Sequence, residues 1–258
     1  MRIFCMVERL SRKVYNAVVG NPEHRKAVAF AIYLKDHKQT SVVKNWSYRE
    51  LSRISGIAPG TCKKRIAALR ELGLVKEETK NGVRYLVFRK LRAPKMATKR
   101  KLGLWYTPKR QDVSLKKVGR FSVKAIEMGL IALYVVETQT KKNFIRQTIR
   151  SKDKGRKVAE IKRAKKICRG RGWKEYSEFG LSYRGMAGKL NVGTAKMLDA
   201  VRYGESKKMF TKQKSDLVQL FVGKGRGKEA LEFVGGFHFA TSSNLYRQPA
   251  NVYLLHQA

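Results

Sequence analysis

Two segments of the chain share one local pattern: a short helix, a tight turn and the start of a second helix. The first segment runs from Ser47 to Thr61 and the second from Ser182 to Thr194. Both have apolar side chains at helical spacing before a turn that contains glycine. With 258 residues the chain has room for one large or two small domains, and the repeat favours two.

The net charge restricts the class of partner. The chain has 58 Lys and Arg residues against 19 Asp and Glu residues, a formal net charge of +39. A folded chain with this excess repels itself, and a polyanion is the natural compensation. Nucleic acid is therefore the expected partner, most simply double-stranded DNA, and an anionic membrane surface is the minor alternative.

Other features exclude several function classes. Cys5, Cys62 and Cys168 are odd in number and far apart, which predicts neither a disulfide framework nor a zinc site. The four histidines add no metal-ligand spacing, so no metal and no cofactor is expected. No apolar run approaches the roughly 20 residues of a membrane span or resembles a signal peptide. These patterns favour a cytoplasmic, nucleic-acid-associated protein, with packaging in a virion left open.

The region around the first segment has clear boundary signals. Residues 22–37 predict a helix capped by Asn21, and Ser47 with Glu50 forms a capping box for the next helix. Gly56 ends that helix, and a further helix of about Thr61 to Leu72 buries Cys62, Ile66 and Leu69. Asn81-Gly82 between two β-prone runs predicts a hairpin.

This order of helix, helix, helix and hairpin resembles the winged helix-turn-helix DNA-binding family over residues 22–91. The segment from Ile66 to Val75 resembles the end of that family's recognition helix and the start of its wing. The resemblance implies that the second helix of the motif enters a DNA groove while the hairpin follows the backbone or the minor groove.

The centre of the chain is strongly basic. Residues 92–120 carry Pro94, Pro108 and mostly basic charge, which predicts a linker. Phe121 to Glu137 is an apolar-rich helix. Residues 141–174 then hold 15 Lys and Arg against two acids, a net charge of +13 with an approximate helical stripe of apolar residues. That stretch predicts a basic amphipathic helix.

The second segment predicts a divergent copy. Met186 and Leu190 take inward positions, and a helix from Thr194 to Tyr203 follows. A helical wheel of this helix predicts that Leu198 and Val201 face inward. It predicts that Lys196, Ala200 and Tyr203 face outward. Strands are expected at Asp216 to Val222, Ala230 to Ala240 and Asn251 to Leu255, joined by turns or an enlarged wing at 223–228 and 242–249. Residues 243–253 resemble the closing wing strand of phage and plasmid winged helix proteins.

The predicted fold class is therefore α+β, mainly α, with two winged helix-turn-helix domains. Residues 1–91 form the N-terminal winged helix domain and residues 92–120 the basic linker. Residues 121–258 form the divergent C-terminal domain, which includes the basic helical insertion at about 141–174.

Candidate DNA-binding residues follow from these elements. Small, polar or basic residues near the start of a recognition helix reach base edges, and Ala68 is placed to touch a thymine methyl group. Wing cations reach the backbone, and the basic helix adds phosphate contacts. A solvated charged surface is the alternative at each position. The full set is Thr61, Lys63, Lys64, Arg65, Lys80, Arg84, Lys189, Thr194, Lys196, Arg202, Lys162, Arg163, Lys165 and Lys166.

Catalysis has little support, because the chain lacks a P-loop order and a recognisable two-metal carboxylate cluster. The leading hypothesis is a non-catalytic protein that binds duplex DNA, as a replication initiator or transcription regulator. Its organisation resembles plasmid and phage replication initiators. A sequence-nonspecific architectural or virion packaging protein is the alternative, and an RNA-binding component of a ribonucleoprotein is a third. Homo-oligomers and other replication, transcription or virion proteins are open as protein partners.

Overall fold

A computed structural model describes residues 9–89, 91, 112–119, 121–150, 181–213, 218–220, 238–241, 244–247 and 251–256. The chain divides into two compact units, one of residues 1–135 with 183–209 and one of 136–182 with 210–258. The described elements are mainly helical with small antiparallel sheets, as predicted. None of the helices in these described ranges is long and apolar enough to cross a membrane.

The first unit begins with strand β1 (Arg9–Ser11), helix α1 (Arg12–Val18) and helix α2 (Pro22–Lys38). Asn21 caps α2, since its side-chain oxygen accepts hydrogen bonds from the backbone N–H groups of Glu23 and His24. The predicted helix and its cap are confirmed. Most of α2 is buried because its middle is apolar on every side, which makes it the central helix of the unit.

Two further helices and a sheet pack around α2. Strand β2 (Val42–Lys44) is followed by α3 (Tyr48–Ser55), α4 (Pro59–Glu71), β3 (Val75–Lys80) and β4 (Val83–Phe88). The strands form one antiparallel sheet in the order β2-β4-β3, with Lys80 opposite Val83 at the hairpin end. Asn81 and Gly82 both have positive φ, 50° and 74°, as a two-residue hairpin turn requires. The hairpin prediction is confirmed, whereas β2 was not anticipated.

Part of the predicted linker belongs to the folded unit. Strand β5 (Asp112–Ser114) pairs antiparallel with β1, with Leu10 opposite Val113. Both of these side chains are buried, and Leu115 and Val118 extend the same apolar cluster. Apolar residues inside the basic segment therefore attach it to the N-terminal core. Residues 92–111 and Arg120 lie outside the described residues.

The rest of the first unit comes from helix α5 (Val123–Arg150), helix α6 (Tyr183–Leu190) and helix α7 (Thr194–Ser206). Helix α5 is longer than the predicted 121–137 helix, contains the first ten residues of the predicted basic helix, and contributes residues to both units. Gly129 allows Val118 to pack closely against the backbone of α5, because a Cβ at position 129 would come within 2.6 Å of a Val118 methyl group. The remainder of the basic helix lies outside the described residues.

The second unit contains the C-terminal strands. β6 (Phe210–Gln213) pairs antiparallel with β10 (Val252–Leu255), and the rings of Phe210 and Tyr253 meet edge to face at 5.2 Å. β7 (Val218–Leu220), β9 (Asn244–Arg247) and β8 (His238–Thr241) form a second antiparallel sheet in that order. The three predicted strands are confirmed as the shorter β7, β8 and β10, whereas β6 was not predicted. β9 lies within the 243–253 segment that resembles a closing wing strand.

The units differ from the predicted domain boundaries. The second helix pair, α6 and α7, lies in the same unit as the first winged segment, whereas the C-terminal strands lie in the other unit. Side-chain bonds from α2 and α5 hold α6 and α7 in the first unit, as described below. Two separate winged domains therefore stay a prediction.

Candidate nucleic-acid interface

Helices α3 and α4 form a helix–turn–helix whose ends are fixed by local bonds. The Ser47 hydroxyl accepts a hydrogen bond from the Glu50 backbone N–H at 3.1 Å, which caps the start of α3. Gly56 ends α3 in the left-handed conformation at φ 69°, where a side chain would be strained. Pro59 then occupies the first turn of α4, two residues before the predicted start.

The inner face of α4 fixes its rotation. Cys62, Ile66 and Leu69 are fully buried where α4 packs on α2 and α3, so the predicted stripe is confirmed. The Cys62 thiol donates to the Ile57 carbonyl at 3.4 Å, and burial raises the pKa of that thiol above its ordinary value. Cys62 is therefore a packing residue that stays protonated at neutral pH.

The outer face of α4 is small and basic. Gly60, Lys63, Lys64 and Ala67 are exposed and recur at the spacing that places side chains on one helical face. Ala67 is more exposed than Ala68, the alanine that the sequence suggested for a thymine methyl contact. Thr61 is half-buried beside this face. The stripe presents two ammonium groups and little bulk, which suits close approach to a groove.

Arg65 lies apart from this face. Its side chain is only 11% exposed, and its guanidinium donates to a Glu23 carboxylate oxygen at 2.7 Å. Glu23 stands in the first turn of α2 and also bonds the Lys26 ammonium at 2.9 Å. The Lys26 hydrogen bond, supported by Arg65, holds the pKa of Glu23 below its ordinary value. Arg65 thus ties α4 to α2.

The hairpin presents two candidate cations with different surroundings. Lys80 is exposed near the tip, 3.1 Å from Glu78, and the Lys80 and Lys76 ammonium groups hold the pKa of Glu78 low. The Arg84 guanidinium lies 4.7 Å from the centroid of the buried Trp46 ring. This cation–π contact stabilises the Arg84 side chain against the sheet surface, where it remains exposed.

The family comparison agrees with this geometry. Residues 47–76 match the family model described as winged helix-turn-helix DNA-binding. The matched range runs from the cap of α3 through α4 into β3, and a domain of this kind indicates DNA as the partner. No curated protein matches the chain, and no solved structure does.

In the second helix pair the candidate residues differ in exposure and in ion pairing. Lys189, Thr194 and Arg202 are exposed, and Arg202 lies 3.9 Å from Asp199. Lys196 is 35% exposed and its ammonium donates to a Glu127 carboxylate oxygen at 2.7 Å. Ala200, predicted to face outward, is fully buried with Met197 and Val201. That orientation was wrong, because the buried side of α7, which packs with α6, includes Ala200 as well as Val201.

A buried charge cluster, formed by Arg25, Glu127 and Lys196, joins α2, α5 and α7. The Arg25 side chain is fully buried, with its Nε atom 3.6 Å from Glu127 Oε1. Its Nη1 atom also donates to the backbone carbonyls of Val19 and, at 3.1 Å, Leu190. Burial lowers the pKa of Arg25, and the Glu127 charge opposes that shift. Sequence patterns gave no signal for this cluster, since its members are 69 or more residues apart in every pair.

Two exposed cations on α3 were missed, Arg49 and Arg53, and Arg53 is paired with Glu50 at 3.0 Å. Arg49 lies in the first turn of α3, directly after the Ser47 cap, and its side chain is exposed. The first helix of a helix–turn–helix crosses the DNA backbone, so this position is suited to a phosphate. Its signal was available in the sequence, as a basic residue within the first turn of the capped helix.

The remaining predicted residues lie outside the described part of the chain: Lys162, Arg163, Lys165 and Lys166. Within the described part, no group of three or more His, Cys, Asp or Glu side chains is placed to hold a metal ion. The DNA contacts assigned to all fourteen candidate residues stay predictions.

The Arg65–Glu23 pair gives a test that separates a DNA contact from a positioning role. We expect Glu23→Gln and Arg65→Gln each to weaken binding to a preferred duplex about two- to fivefold, with the double variant no weaker than either. The reason is that both substitutions loosen the same tie between α4 and α2. Fluorescence anisotropy on a labelled duplex measures the three affinities.

A direct contact between Arg65 and DNA would give a different result. If Arg65 touches DNA, Glu23→Gln removes a competing anion and raises the affinity, while Arg65→Gln lowers it. Lys116→Gln, at an exposed position of the 112–119 segment outside the helix–turn–helix and the hairpin, is a matched control for the loss of one surface charge.

Proposed function

We propose that this protein is a non-catalytic DNA-binding protein that engages duplex DNA through α3, α4 and the β3–β4 hairpin. Replication initiation or transcription regulation is the proposed role. The observation that carries the proposal is the coincidence of the family match with an exposed, basic outer face on α4. The net charge of +39 supports a polyanionic partner.

The outer face of α4 supports base recognition. Lys63 and Lys64 project from the same side as Gly60 and Ala67, so the lysine ammonium groups approach base edges without bulky neighbours. Lysine donates to the O6 and N7 acceptors of guanine, and an alanine methyl packs on a thymine methyl. In this proposal Lys63 and Lys64 specify sequence, and Thr61 contributes from the edge of the face.

Phosphate contacts surround that face. The first turn of α4 contains no acidic residue, so the positive end of the helix dipole is not neutralised there and attracts an anion. Arg49 on α3 and Lys80 and Arg84 on the hairpin are exposed cations on either side of α4 in the chain. These groups position the protein on the backbone without reading sequence.

A second DNA contact through α6 and α7 belongs to the same proposal. Lys189, Thr194 and Arg202 are its exposed candidates. Lys196 neutralises Glu127 and therefore contributes less charge to an external partner than the sequence suggested.

The dependence of affinity on salt tests duplex binding directly. If about eight phosphates are contacted, the slope of log K against log salt is expected to be near −7, because each contact releases condensed counterions. Titration of a labelled duplex at several NaCl concentrations measures this slope. An affinity that barely responds to salt contradicts the proposal.

Selection of bound sequences from a random duplex pool tests the specific role. Enrichment of a repeated motif is the expected result for an initiator or regulator. The absence of enrichment supports sequence-independent binding.

The basic stretch favours one alternative function. Residues 141–174 carry a net charge of +13, which exceeds what one helix–turn–helix needs for phosphate contacts. A packaging or architectural protein uses such charge without reading bases. Competition between a selected site and a random duplex separates the two functions, since a specificity ratio below about 10³ favours packaging.

A further inference from the structure

An exposed phenyl ring stands in the first unit, in a chain segment other than the helix–turn–helix. Among the described residues two large hydrophobic side chains are exposed, Phe121 at 72% and Leu254 at 52%. Phe121 lies just before α5, in a segment that also carries Lys116, Lys117 and Lys124. An apolar ring in basic surroundings, uncovered by the described part of the chain, is a candidate binding surface.

A lysine ammonium is held beside this ring. Lys207, the residue that follows α7, has its Nζ atom 5.5 Å from the Phe121 ring centroid and 5.7 Å from the Tyr203 ring centroid. Both distances are within the range of cation–π attraction. The ammonium is 5–6 Å from two aromatic rings, so one small area presents both π surface and positive charge.

Two hydrogen bonds attach the segment before the ring to the C-terminal end of α7 and the residue that follows Lys207. The Gly119 backbone N–H donates to the Tyr203 hydroxyl at 3.0 Å, and the Lys117 ammonium donates to the Lys208 carbonyl at 2.9 Å. Gly119 permits this approach, because a Cβ at that position would lie 2.2 Å from the Tyr203 oxygen. The segment before Phe121 is therefore attached to the C-terminal end of α7, and ligand binding there orders little additional chain.

The chemistry of this area matches one class of ligand. Single-stranded nucleic acid is bound by aromatic rings that stack on its bases and by cations that contact its phosphates. Both faces of a base inside a duplex are already stacked on its neighbours, so an aromatic side chain cannot stack on a base of intact duplex. The exposed side chains of Lys116, Lys124 and Lys208 add cations in the same segments.

We propose that Phe121, Tyr203 and Lys207 form a binding site for an unpaired base of single-stranded DNA. The Phe121 ring stacks on the base, and the Lys207 ammonium contacts the adjacent phosphate. This site is separate from the outer face of α4 and does not depend on duplex recognition there.

The test uses the full-length protein and a fluorescein-labelled (dT)16 oligonucleotide, with a 16-nucleotide abasic strand as the phosphate-only probe. Phe121→Ala is expected to weaken (dT)16 binding roughly 5- to 150-fold, the range for losing one stacked base. Phe121→Trp should retain the affinity because it preserves a stacking face. Leu254→Ala, at the other exposed hydrophobic position, is the matched control and should bind like the wild type.

The abasic strand and the duplex complete the test. Phe121→Ala should leave both affinities unchanged, because neither ligand offers an unpaired base. Equal affinity of Phe121→Ala and wild type for (dT)16 overturns the proposal, as does an equal loss on the abasic strand. Failure of duplex binding by the wild type would refute the proposed function and leave this result intact.

Discussion

Replacement of Glu127 by alanine is expected to lower the free energy of unfolding by about 3–5 kcal/mol. Glu127 is the carboxylate between Arg25 and Lys196, and 9% of its side chain is exposed. Without it, the fully buried Arg25 guanidinium keeps its charge but loses the anion that compensates for its removal from water. The same substitution releases Lys196, so α5 loses its bonds to α2 and α7 together.

Urea unfolding followed by circular dichroism measures this effect. Glu71→Ala is the matched control, because the Glu71 side chain is 71% exposed and its removal should cost no more than about 0.5 kcal/mol. The double variant Arg25→Met with Glu127→Leu should recover much of the loss, since it removes both buried charges and fills similar volume. A Glu127→Ala protein as stable as wild type contradicts this account.

Lys64→Ala is expected to cost about 1–3 kcal/mol of binding free energy on a preferred duplex and to relax base preference at one position. Lys64 is exposed on the outer face of α4, opposite the buried Cys62, Ile66 and Leu69 stripe that fixes the helix rotation. A donor in a groove discriminates among bases, whereas a donor on the backbone weakens all sequences equally.

Competition between the preferred duplex and single-base variants measures the change in preference. Lys116→Ala is the control, because Lys116 is also exposed but lies on the 112–119 segment, outside the helix–turn–helix. Equal weakening on every duplex would assign Lys64 to a phosphate instead of a base.

Local chemistry made the N-terminal elements predictable. Asn21 and Ser47 cap the first turns of their helices, and Gly56 ends the helix before it. Each does so through hydrogen bonds to residues at most four positions away. Asn81-Gly82 likewise fixes the hairpin through its own backbone angles. Because the interacting residues are neighbours in the chain, the sequence contains all the information needed to place these boundaries. The predicted boundaries therefore agree with the structure to within a few residues.

Elements held by distant partners were harder to predict. β2, β5 and β6 are three or four residues long and carry too short a pattern to stand out, so their identity depends on the strands they pair with. The outward assignment of Ala200 failed for a related reason. A helical wheel identifies an apolar side of α7 from residue types alone and does not reveal how much of the helix the rest of the unit covers.

The sequence by itself determined the helix–turn–helix at 47–76, its basic outer face and the preference for a polyanion. Those features depend on caps, turn residues, helical spacing and total charge, which act within a few residues or over the whole chain. The tertiary structure alone decided which cations remain available. Arg65 and Lys196 have the same charge and a similar helical setting to Lys64, yet Glu23 and Glu127 engage them. Pairing of this kind depends on packing between distant segments, because an ion pair forms wherever folding brings opposite charges within about 4 Å.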